Sequence, residues 1–151
     1  MKERSATPFT EMASGFRTRI VKQWAMKQTG SPSVTASQLT GLACELGLVN
    51  RERSVPGTAL AEWARTGETP LWAAQAAFSA ELKFGWRPVS PEDWAGFASL
   101  HFKIYKSMEL DMLLSELPDD MDKIVAAGWL AAAVEEDRHF RTKKKLILRN
   151  A

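Results

Sequence analysis

Cysteine is almost absent: Cys44 stands alone in 151 residues, so no disulfide can form within the chain. That usage fits a reducing cytosol rather than a secreted, disulfide-stapled domain. Histidine is equally scarce. His101, His139 and Cys44 show no ligand spacing, which argues against a structural or catalytic metal and leaves no cofactor to expect. Long apolar runs are missing too. The most apolar stretch, Gly128 to Val134, is far below the roughly 20 residues that span a bilayer, so the expectation is no membrane span. The first nine residues are polar and lack the apolar segment of a secretory signal.

The usual catalytic signatures are lacking as well. There is no phosphate-cradling glycine pattern and no nucleophile elbow around a serine. The carboxylates at Asp119, Asp120 and Asp122 are explained as stabilising a helix N-terminus, and Glu135, Glu136 and Asp137 as preceding a basic segment. The reading is therefore of a protein that is not an enzyme. His101 falls among apolar positions and reads as a core or interface histidine with one hydrogen bond. Trp63 and Trp72, at helical spacing beside leucine and alanine, read as core rather than as platforms for stacked bases.

What the chain does have is ordinary globular content, with 45% hydrophobic and 25% charged residues, and a strongly uneven distribution of charge. The net charge of +2 hides three blocks. Residues 1–29 carry Lys2, Arg4, Arg17, Arg19, Lys22 and Lys27 against Glu3 and Glu11; residues 88–137 are dominated by acids; from Arg138 onward there are cations and no acid. Two basic ends point to a polyanionic partner, and the basic tail can equally touch phosphate or pair with the acidic block.

Apolar spacing predicts an all-α chain. Phe9, Met12, Ala13, Phe16, Ile20 and Trp24 recur in steps of three and four, predicting a first helix over about 8–28 with Arg19 and Lys22 on its far side. Thr35 and Gln38 match a capping box, with Val34 and Leu39 as its hydrophobic staple, so a second helix is predicted to start there and to end at Gly47. A polar loop follows from Leu48 to Gly57. A third helix is predicted over about 58–66, stopping at Gly67, and a fourth from Thr69 and Pro70 to about Phe84. Ser90 and Pro91 open a fifth that either runs to Pro118 or breaks near Ser107. Asp119 is placed as the cap of a last helix reaching about Phe140, and Leu146 to Leu148 are the one candidate for a short strand. Gly128, inside that helix, either weakens it or permits close helix contact. The domains predicted are residues 1–86 and residues 88–151.

The pattern Thr35 to Gly47 followed by Thr58 to Gly67, with Leu60, Trp63, Gly67, Pro70, Trp72 and Ala73, resembles the helix-turn-helix of the Cro and lambda-repressor class. The likeness is to small phage-encoded regulators, of the Mu-like kind among others, and covers about a third of the chain. It is a long-turn variant, because Gly47 and Trp63 are separated by an extended segment. What the resemblance implies is a double-stranded DNA-binding protein in the cytoplasm of a bacterial host, acting as a phage or prophage transcriptional regulator or a transposition factor.

By matching to that family the third helix presents Gly57, Thr58, Ala59 and Glu62, which offer few donors to base edges. Arg51, Arg53 and Ser54 of the long turn are expected to compensate, together with Thr58 and Arg65. Thr35, Ser37 and Gln38 are expected to meet a phosphate at the second helix's N-terminus, and Arg17, Arg19 and Lys22 to extend the backbone contacts. A homodimer through the C-terminal helices would read two half-sites. The alternative is a helical adaptor whose acidic C-terminal region docks another protein, with the helix-turn-helix serving as scaffold.

Overall fold

The computed structural model describes residues 7–105 and 109–149, with side chains as far as Arg141. Among the described residues the protein is all-helical and without strands. It divides into two compact units, one formed by Ser14–Pro88 and the other by residues 7–13 together with the chain from Val89 onward. The N-terminal segment thus belongs with the C-terminal half, unlike the expected 1–86 domain.

The middle unit holds α2 (Phe16–Met26), α3 (Pro32–Glu45), α4 (Ala59–Thr66) and α5 (Leu71–Lys83). At its centre lies α5, with Ala73, Ala74, Ala76, Ala77 and Phe78 completely enclosed. The alanines let α2 and α3 approach α5 closely, and both helices pack on it extensively. α2 contributes Phe16, Ile20, Val21 and Trp24, and α3 contributes Ala36, Leu39 and Ala43. Phe16, Phe78 and Trp86 form a ring cluster with centroids 5.5–6.4 Å apart. Glu81, fully buried on α5, accepts from Lys27 Nζ through both oxygens at 2.8 and 3.1 Å. That pairing supplies the counter-charge a buried carboxylate needs.

The other unit comprises α1 (Pro8–Ser14, of which Ser14 falls in the middle unit), α6 (Pro91–Ile104), α7 (Leu110–Ser115) and α8 (Lys123–Arg149). Ser90 caps α6: its hydroxyl accepts from the Asp93 amide, while the Asp93 carboxylate reaches back to the Ser90 amide, with Pro91 in the first turn. Phe97, Leu100 and Phe102 of α6 pack with Leu113 of α7 and Ala126, Leu130 and Ala133 of α8. His101 is buried, stacks on Phe97 and places Nε2 3.0 Å from the Leu113 carbonyl, fixing α7 to α6. Burial holds its pKa below the ordinary histidine value; the Leu113 bond and nearby Glu116 oppose that shift. α1 is tied to α8 because Thr7 and Thr10 both donate to Glu136, at 2.7 and 3.0 Å.

Several boundaries depart from the sequence reading. The first helix is two, interrupted at Gly15. The second begins at Ser31, not Thr35: the Ser31 hydroxyl accepts from the Val34 amide and Pro32 sets the first turn, so the earlier Ser-Pro pair wins. No Thr35–Gln38 capping box forms. Of the two alternatives for the fifth helix the structure has the broken one, with α6 ending at Ile104, α7 starting at Leu110, and residues 106–108 outside the described residues. Asp122 rather than Asp119 caps the last helix, accepting from the Ile124 and Val125 amides. That helix runs on through Leu146, Ile147 and Leu148, where a short strand was considered.

Candidate nucleic-acid interface

The long turn between α3 and α4 is not a free loop but a strap running back along α3. After Glu45 the chain reverses at Gly47, whose φ of 75° is the left-handed conformation that glycine adopts without a steric penalty. Four contacts to α3 then follow, the first near its C-terminal end and the last in its first turn. The Arg51 carbonyl accepts from Cys44 Sγ at 3.7 Å, the Val55 amide donates to Thr40 Oγ1 at 3.3 Å, and Ser54 Oγ donates to Ser37 Oγ at 3.2 Å. Finally Gly57 lies against Ser33, so close that a Cβ there would stand 2.9 Å from the Ser33 nitrogen. Residues 33, 37, 40 and 44 recur at steps of three and four and therefore form one face of α3. Val55 is buried and anchors the strap in the core.

The strap determines where its charged residues stand. The Arg51 guanidinium lies over the Trp72 ring, 5.6 Å from its centroid, with the side chain exposed. Arg53 is exposed and makes no bond among the described residues. Ser37, Gln38 and Ser54 are exposed alongside. The structure thus brings Ser37 of α3 beside the strap residues Arg51, Arg53 and Ser54, 14 to 17 positions further along the chain.

The remaining sequence-predicted residues are distributed differently. Thr35 is buried and its amide is already committed to the Ser31 carbonyl at 2.9 Å, so it has nothing to offer a phosphate. Thr58 is exposed at the N-terminal end of α4 without a side-chain capping bond. Arg65 is engaged by Glu62 on the same helix, which leaves α4 with an internal ion pair and Thr66 on its outer side. On α2, Arg19 is exposed over the Phe16 ring and Lys22 is exposed toward α4. Arg17 is misplaced by the sequence reading. It precedes Ile20, Val21 and Trp24 by three, four and seven residues, which puts it on the buried face, and burial pushes its guanidinium below the ordinary arginine value.

Trp63 and Trp72 are half-buried and meet edge to face at 5.9 Å, holding α4 to the start of α5. α4 has no fully buried residue. Beneath it, between α2 and α4, lies an apolar groove of about 270 Å³ that sequence reasoning missed. In the basic tail, Arg138 pairs with Glu135 at 3.2 Å and Arg141 with Asp137 at 2.7 Å, so these two cations are matched within α8. Lys143, Lys144 and Lys145 have side chains outside the described set. Among the described residues no cluster of histidine, cysteine and carboxylates is arranged to hold a metal, and no helix is long and apolar enough to cross a membrane.

Comparison of the chain with protein-family models, with curated proteins and with solved structures found no match.

Proposed function

We propose that the protein binds double-stranded DNA through the α3–strap–α4 segment, as a long-turn helix-turn-helix. The observation that carries this reading is the strap itself: four contacts to one face of α3 hold Arg51 and Arg53, both exposed, beside Ser37 and Ser54. Guanidinium groups on a fixed backbone suit phosphate and guanine edges, because less side-chain and loop entropy is lost on binding. The biological role proposed is that of a phage or prophage transcriptional regulator or a transposition factor acting in a bacterial cytoplasm. A homodimer would present two such segments to two half-sites. Ile124, Val125 and Met112, exposed on α8 and α7, are the apolar surface proposed for that contact.

Fluorescence anisotropy with a random duplex and with fragmented source DNA, repeated over a salt series, tests the proposal. The expected result is binding that weakens steeply with salt, with one class of fragment held far more tightly than random duplex. Arg51→Ala and Arg53→Ala should each reduce the magnitude of the salt slope by about 1 and weaken binding about tenfold. Unchanged affinity in both variants refutes this placement.

A second reading has one observation in its favour. The outer side of α4 offers an internal Glu62–Arg65 pair and Thr66, a poor set for reading bases. Under that reading the chain is an adaptor whose acidic C-terminal region docks another protein, and partner binding would survive loss of Arg51 and Arg53.

A further inference from the structure

The groove between α2 and α4 has a specific chemistry. Val21, Ala25 and Met26 of α2 form one wall, and Leu60, Trp63 and Ala64 of α4 form the other. The hydroxyls of Thr18 and Thr69, at the same groove, share one hydrogen bond at 2.9 Å. Among the described residues Lys22 is the one charged residue that lines it, and no carboxylate does. Lys27 is committed to Glu81 and Arg65 to Glu62, whereas Lys22 has no ion-pair partner among the described residues.

We propose that this groove binds a small apolar monoanion, a carboxylate carried on one or two aromatic rings or a short alkyl chain. The apolar part would lie between Trp63 and the Val21–Ala25 wall, and the carboxylate would meet Lys22 Nζ. The volume of about 270 Å³ falls just under the usual range for small-molecule pockets, about 300–1,000 Å³, which limits the ligand to that size. A polyanion would find one cation only, and a strongly polar ligand would lose hydration against walls that offer few replacement bonds. A ligand there removes apolar surface that α2 and α4 leave uncovered, Met26 being 77% exposed and Trp63 half-buried. This site stands independently of the DNA-binding reading.

The test is a titration of the full ¹⁵N-labelled chain with 1-naphthoate and, in parallel, with the uncharged 1-naphthalenemethanol, followed by amide and indole shifts. The acid is expected to shift the Trp63 indole and the Ala25, Ala61 and Ala64 amides with a Kd of about 0.1–1 mM, and the alcohol to bind at least fivefold more weakly. Lys22→Ala should abolish the difference between the two probes and Lys22→Arg should restore it; Ala25→Phe, which fills the groove, should remove both responses. Should Ala25→Phe fail to fold, Lys22→Ala, at an exposed position, still decides the matter. Equal binding of acid and alcohol overturns the proposal, as does an absence of shifts up to about 5 mM acid. Shifts confined to other surfaces, shifts produced only by an apolar peptide, or concentration-dependent shifts without any probe also overturn it; the last two would assign the groove to a protein partner or a second copy.

Discussion

Replacing Gly57 by alanine tests the seating of the strap with a single methyl group. A Cβ at that position would lie 2.8 Å from Ser33 Oγ, 2.9 Å from the Ser33 nitrogen and 3.1 Å from its Cα. The hydroxyl can rotate away; the backbone of the first turn of α3, held by Ser31 and Pro32, cannot do so freely. Either the strap lifts or the helix start shifts, and overpacking of this kind costs about 1–3 kcal/mol. Alanine also restricts the unfolded chain, which offsets part of the loss by about 0.4–1 kcal/mol. The net expectation is destabilisation of about 0.5–2 kcal/mol, or a midpoint lowered by roughly 2–15 °C for a unit of this size.

Gly41 supplies the control. It is an exposed glycine inside α3, and a Cβ there meets nothing within 4 Å. Gly41→Ala should therefore stabilise by about 0.5–1 kcal/mol, through helix propensity alone. Urea unfolding followed by tryptophan fluorescence measures both. Opposite signs are required. A Gly57→Ala variant as stable as wild type, or more so, refutes the close approach of the strap to Ser33, and with it the pre-organised placement of Arg51 and Arg53.

Lys27→Ala leaves Glu81 buried without its counter-charge and should cost roughly 2–4 kcal/mol, while Lys27→Ala combined with Glu81→Gln should recover part of that loss in the same urea assay. His101 has its folded pKa held below the unfolded value of about 6.5, so the unfolded chain binds more protons between those two values; its contribution to stability is complete above about pH 6.5 and declines as pH falls toward the folded value. Urea midpoints measured from pH 7.5 to 5 should therefore fall more steeply for wild type than for His101→Gln. Gly128, exposed in α8 with nothing within 4 Å of a built Cβ, should tolerate alanine with a gain of about 0.5–1 kcal/mol; a loss of dimer in light scattering with that variant would instead place Gly128 in the contact between copies.

The parts of the fold legible in the sequence are those governed by neighbouring residues. Ser90, Pro91 and Asp93 form the start of α6 within four residues, and Gly67 ends α4 in the left-handed conformation, so both boundaries could be read directly. At the start of α3 the spacing pointed to Thr35 with Gln38, whereas the Ser31 hydroxyl and the proline behind it begin the helix four residues earlier. Arg17 was misread because charge was weighed ahead of spacing, although its three, four and seven steps to Ile20, Val21 and Trp24 were visible. The strap was not legible at all. Its bonds join Cys44, Thr40 and Ser37 to residues seven to seventeen positions away, and short polar side chains of this kind carry no signal of which backbone group they will meet. The groove was hidden for a related reason: an apolar stripe on α2 predicts burial, and only the short reach of α4 leaves part of it uncovered.

The helix written Leu71-Trp72-Ala73-Ala74-Gln75-Ala76-Ala77-Phe78 reads as low-information filler, yet it is the axle on which the middle unit is mounted. Because Ala73, Ala74, Ala76 and Ala77 have no exposed surface, every larger side chain at these positions must push α2 or α3 outward, and every glycine must loosen the axle itself. Evolutionary drift therefore has little room in the plainest stretch of the chain, while the conspicuous exposed charges around it are freer to change. A saturation library sorted for folded protein would show this inversion as a band of intolerance centred on four alanines.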